Sequence, residues 1–105
     1  MFILDMNNYD SRKIARVEPE ENNGIGVSTA YTSDEGYETA LFDSNGVHPV
    51  ERYGTKEKAE KGHKKWVDFA KEGNGKKVIK LGWSAFNNMN EEIFLKAEPS
   101  NLLDQ

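Results

Sequence analysis

Only two side chains in this 105-residue chain, His48 and His63, have an ordinary pKa close to neutrality, and they stand fifteen residues apart. That separation supplies no short metal-ligand spacing. The chain has no cysteine, which excludes disulfides, zinc ribbons, thiol nucleophiles and iron–sulfur ligation. No metal or other cofactor is therefore expected. His63 is the better candidate for acid–base chemistry, as a buried base oriented by the carboxylate of Glu51 or Asp43. The competing reading is a packing histidine bonded to a backbone carbonyl or a tyrosine. The packing reading is preferred, because burial perturbs structural histidines as well.

Other motifs are weaker. Gly73-Asn74-Gly75-Lys76-Lys77 has phosphate-loop composition, but its glycines follow a helix and precede a strand, and no Ser or Thr follows the lysines. A helix end followed by a turn is the better reading. Asp5-Met6-Asn7-Asn8-Tyr9-Asp10 lacks the fifth ligand and the sixth-position glycine of a calcium loop. No nucleophile-elbow serine is present. The sequence assigns no catalytic residue, and an enzyme is not expected.

These residues must be held by an α+β domain, a mostly antiparallel meander with one amphipathic helix packed on it. Phe2, Leu4 and Met6 predict a short first strand, and Lys13 to Glu18 a second. After the turn at Pro19–Gly24, the alternation of Ile25, Val27, Thr29 and Tyr31 puts one face of a third strand inward. Tyr37–Phe42, the turn Asp43-Ser44-Asn45-Gly46, and Val47–Tyr53 read as a hairpin. Pro49 cannot donate to a ladder, so its strand is an edge or carries a bulge.

Glu51-Arg52-Tyr53-Gly54-Thr55 closes the hairpin and opens the helix. Thr55 is placed as N-cap, and the helix is predicted to run to about Glu72, with Gly73 just past its end. Ala59, Gly62, His63, Trp66, Val67 and Ala70 follow the spacing of one buried stripe. Thr55, Gly62, His63 and Trp66 are thus expected to be structural. A glycine inside a helix costs about 1 kcal/mol, so Gly62 implies close approach to an aromatic side chain or to the sheet. Lys76–Trp83 reads as a strand able to return to the sheet, and Glu92–Ala97 as the last strand. Pro99 ends it, and residues 99–105 are a tail expected to fray.

Composition bounds the rest. Apolar residues are 36% and charged residues 30%, with two Trp, four Tyr and five Phe to build a thin core. One domain over residues 1–105 is expected. No apolar run approaches the roughly 20 residues of a membrane span, and an intracellular protein is expected. The net charge of −4 is unevenly spread. Residues 1–55 sum to −6, residues 56–80 to +5 and residues 81–105 to −3. The Lys56–Lys80 segment is the candidate nucleic-acid surface, although its interleaved glutamates favour a solvated helix face.

Tyr37-Glu38-Thr39-Ala40-Leu41-Phe42, Glu51-Arg52-Tyr53-Gly54-Thr55, Ala59 and Gly62-His63 together resemble a set of small uncharacterised bacteriophage and prophage proteins. Ala15-Arg16-Val17 and Val27-Ser28-Thr29 match strands of the same set. The resemblance covers about residues 13–72. It implies a phage setting, with the host cytoplasm as compartment, and it carries over no catalytic residue. The function expected is an accessory protein that binds another protein, foremost an inhibitor of a host defence nuclease or other host enzyme. The alternative is a virion or assembly component of head or tail. Glu20, Glu21, Asp34, Glu35 and Glu38 are the expected partner-binding residues, facing a basic groove of the partner.

Overall fold

The computed structural model describes residues 12–82 and 89–99. The strand expected at Phe2–Met6, Trp83 at the end of the returning strand, and the tail beyond Pro99 lie outside the described residues. Four antiparallel strands run in sequence order: β1 (Lys13–Val17), β2 (Gly26–Thr32), β3 (Gly36–Asp43) and β4 (Gly46–Tyr53). One helix, α1 (Lys56–Lys71), packs on a single face of this sheet. The expected α+β meander is present.

Alternation decides which residues meet the helix. Ile25 just before β2, Val27 and Thr29 within it, and Thr39 and Leu41 of β3 are fully buried. At the far end of β2, Tyr31 is exposed and meets Tyr37 edge-on with ring centroids 5.1 Å apart. Ile25, Val27, Leu41, Val50, Ala70, Val78 and Leu95 form the core, with Trp66, Val67 and Phe69 packed against it from the helix. Burying each large aliphatic chain contributes about 1.5–3 kcal/mol.

Pro49 meets both conditions set for it. β4 is the last strand of the sheet, and its pairing passes from Thr39–Glu51 to Ala40–Pro49, leaving Val50 as the extra residue of a bulge. The edge is partly covered, because Leu81 N–H donates to Pro49 O at 2.8 Å.

The helix starts where the sequence placed it. Thr55 has extended backbone angles, and its hydroxyl accepts from Lys58 N–H at 3.2 Å. At the other end the helix stops at Lys71 with Glu72 as C-cap and Gly73 just past it, and Gly73 does not take the left-handed conformation. Gly75 does, with φ of 85°. Helix ending is assisted from the opposite side of the chain. Asn23 Nδ2 donates to Lys71 O at 2.8 Å, and buried Asn22 donates to Ile25 O at 3.0 Å and Val67 O at 3.4 Å. The turn ahead of β2 therefore clips the last turn of α1.

The chain after the helix departs from expectation. β5 (Lys77–Lys80) does not join the main sheet; it pairs with β6 (Glu91–Phe94) in a separate two-stranded sheet. Residues 95–98 then cross the end of the main sheet in irregular conformation. Their backbone is tied at Leu95 N–H to Lys76 O (2.9 Å), at Lys96 O to Ser44 N–H (3.0 Å) and at Glu98 N–H to Gly24 O (2.9 Å). Gly24, at φ of 92°, has the Glu98 backbone and Ala97 directly against it, which leaves no room for a side chain.

Candidate functional site

Beneath the first half of α1 lies a connected polar cluster built from facing strands. Residues 29, 39, 51 and 53 share the helix-facing side because each pair is matched across the ladder or two apart along it. Thr29 Oγ1 is hydrogen-bonded to His63 Nδ1 at 2.7 Å and also to Thr39 Oγ1. Tyr53 OH lies 3.1 Å from both Thr39 Oγ1 and Glu51 Oε1. Glu51 Oε1 further accepts from Lys65 Nζ at 2.7 Å and Trp66 Nε1 at 2.7 Å.

His63 is buried, and its partner is the Thr29 hydroxyl and neither a carbonyl nor a tyrosine. Neither Glu51 nor Asp43 orients it. Burial lowers its pKa from the ordinary 6.5 and favours the neutral ring. Glu51 has the opposite problem: burial pushes its carboxyl up, and the bonds from Lys65, Trp66 and Tyr53 outweigh this and hold it below the ordinary value. For Tyr53, burial and then the neighbouring Glu51 charge push the phenol up to about 12, against the opposing bond from Thr39. A phenol so raised is a donor at neutral pH, not a nucleophile.

Gly62 explains how Tyr53 fits. A Cβ at residue 62 would overlap the Tyr53 hydroxyl and ring, so the helix approaches an aromatic side chain as its glycine implied. Above Tyr53 and Gly62 opens a cleft of about 290 Å³, lined by Glu51, Lys58, Lys61 and Lys65. The neighbouring Arg52 points to the opposite face of β4. It bonds Glu38 at 2.9 Å, lies 3.5 Å from Glu35, and donates to Gly82 O at 3.0 Å. A second cleft, of about 310 Å³, lies there among Asp34, Glu35, Glu38, Arg52 and Lys80. Glu51, Arg52 and Tyr53 therefore serve two clefts in alternation.

The acidic residues expected to bind a partner fall into two groups at opposite ends of β2. Asp34, Glu35 and Glu38 gather at the β2–β3 turn, where Arg52 neutralises part of their charge. Glu20 and Glu21 sit on a 3-10 turn at Pro19–Glu21 that precedes β2, and Glu21 is turned back to accept from Glu18 N–H at 3.0 Å. A seven-residue strand separates the groups by about 20 Å.

One buried pair was not expected. His48 and Asp43, each 5% exposed, flank the β3–β4 turn, and His48 Nε2 donates to Asp43 Oδ1 at 3.0 Å. Asp43 also accepts from Asn45 N–H and Lys96 N–H, both at 2.8 Å. Burial raises its carboxyl, and these three bonds more than compensate, leaving its pKa low. The pair locks the turn to the C-terminal crossing. The available signal was positional: Asp43 pairs with Gly46 across the turn, and His48, two residues on, is its diagonal neighbour on the same face.

Among the described residues, no group of three or more His, Asp or Glu is placed to hold a metal ion. No described helix is long and apolar enough to cross a membrane. No family model, curated protein or solved structure matches the chain.

Proposed function

We propose that the chain is a small accessory protein of bacteriophage or prophage origin that acts by binding another protein. In its leading form it inhibits a host enzyme, foremost a defence nuclease. The observation that carries this reading is the division of surface charge across β4. One face opens on Asp34, Glu35 and Glu38, the other on Lys58, Lys61 and Lys65. Both clefts are open and rimmed by charge. Small-molecule sites bury most of their ligand's surface in an enclosed cavity, whereas charged poles steer and orient a macromolecular partner. The buried His63 and Asp43 and the half-buried Glu51 support the same view, because each is engaged in bonds that hold the fold.

The direct test is affinity capture from host lysate with the full chain, together with expression in a host carrying active defence nucleases. One enriched host enzyme and weakened defence are expected. No enriched partner and undiminished defence would overturn the reading. A virion or assembly role is the second reading, favoured by exposed Val47, Ile79 and Phe94, which a symmetric assembly would cover. Mass spectrometry of purified particles separates the two.

A further inference from the structure

We infer that the lysine-walled cleft beside Tyr53 is the docking site for a short acidic segment of a partner protein. The inference rests on the protein-binding reading above and names the chemistry of the partner. Lys58, Lys61 and Lys65 stand at i, i+3 and i+7, a single flank of α1. They span about 10 Å along the helix axis. The other flank alternates Glu57, Glu60 and Asp68 with Lys64 and Lys71, so its charges largely cancel. The net positive charge of α1 is therefore concentrated where the cleft opens, while Lys76, Lys77 and Lys80 lie in or beside β5.

Within the cleft, three ammonium groups meet one carboxylate. Glu51 engages Lys65 at 2.7 Å, while Lys58 and Lys61 have no ion pair among the described residues. Gly62 adds no side chain to the floor, and the Tyr53 ring packs against it. An incoming anion thus meets two uncompensated cations over a fixed aromatic base.

The length of the row selects the occupant. In an extended peptide, side chains on one side recur about every 7 Å, so two acidic residues at i and i+2 match the lysine row. A nucleic-acid strand would have to continue beyond it. Beyond Lys65 the same flank next presents Glu72 at the C-cap of α1, which would repel a long polyanion. A short acidic segment avoids it.

The experiment is a ¹H–¹⁵N NMR titration of the full chain with a capped hexaglutamate peptide, run beside a short oligothymidylate. The peptide should shift the amides of Tyr53, Lys58, Lys61, Gly62 and Lys65, and added salt should weaken it. The double variant Lys58→Glu/Lys61→Glu should lose roughly tenfold or more in affinity, while Lys64→Glu/Lys71→Glu binds as the parent does. All four positions are exposed, so the fold is retained; Lys58→Gln/Lys61→Gln gives a milder check on the same point. Absence of binding, shifts elsewhere, equal loss in both charge-reversed variants, or preferential binding of the oligothymidylate overturns the assignment. If a host protein is captured equally well by Lys58→Glu/Lys61→Glu, the cleft assignment fails while the protein-binding reading stands. If the parent chain captures nothing, that reading fails and the titration still decides the cleft.

Discussion

At residue 62 the helix gives up about 1 kcal/mol of intrinsic propensity relative to alanine. In exchange Tyr53 lies against the helix backbone and reaches both Thr39 and Glu51. The local preference and the tertiary contact oppose each other, and the contact is the larger. Gly62→Ala should therefore destabilise the chain by about 1–3 kcal/mol, read as a lower urea midpoint with an unchanged slope. An increase in midpoint would show that the Tyr53 contact is loose. The need for a close approach could be read from a glycine on an apolar helical stripe. That the neighbour would be Tyr53 could not, because its identity depends on the sheet register. His63 illustrates the same boundary: helical spacing placed it inward, and only the pairing of β2 with β3 put two threonine hydroxyls beneath it.

Among the elements, α1 and the β3–β4 hairpin were legible because their signals are local. A capping threonine, a two-residue turn and a helical stripe are each complete within a few neighbouring residues. β5 was read as a strand, but its partner was not. Its alternation says only which side chains share a face, and Val78 enters the core through pairing with β6 rather than through the main sheet. Residues 95–97 were read as the end of the last strand, but β6 stops at Phe94 and the crossing that follows is irregular, held by contacts that alternation does not encode. The crossing is nevertheless central to stability, since Leu95 is 2% exposed and its backbone links Lys76 and Gly75. Leu95→Ala should cost about 2–5 kcal/mol. Hydrogen exchange should then accelerate at the Gly75, Lys96 and Glu98 amides before it does in β2 or β3. Uniform acceleration throughout the chain would argue against a distinct role for this crossing.

For the whole molecule, buried His63 and Asp43 and half-buried Glu51 make stability depend on pH in two steps. The folded pKa of His63 lies below its ordinary 6.5, so the unfolded chain binds its proton first. Its contribution is fully present above that value and is lost as the pH falls toward the folded pKa. Asp43 and Glu51 have folded pKa values below their ordinary 3.8 and 4.5. Their contributions are present above those values and disappear as the pH falls through the lower folded ones. Urea midpoints measured from pH 7 downward should decline first below about 6.5 and again below about 4. His63→Gln should remove the first step and leave the second. A midpoint unchanged between pH 7 and pH 5 in the parent chain would show that His63 is not held neutral.

By itself the sequence determined the class of the fold, the N-terminus of the helix, its buried stripe, the hairpin, and that Pro49 lies on an edge strand or at a bulge. Each follows from rules acting over a few residues: backbone dihedral preference, the missing proline donor, and the periods of strand and helix. It also located the excess of lysine, but not its distribution. Only tertiary structure decided that Lys58, Lys61 and Lys65 meet Tyr53 in one cleft, that Arg52 draws Glu35 and Glu38 together on the other face, and that Asp43 holds the C-terminal crossing. These arrangements join residues far apart in the chain, and their geometry is set by strand register and the seating of the helix on the sheet.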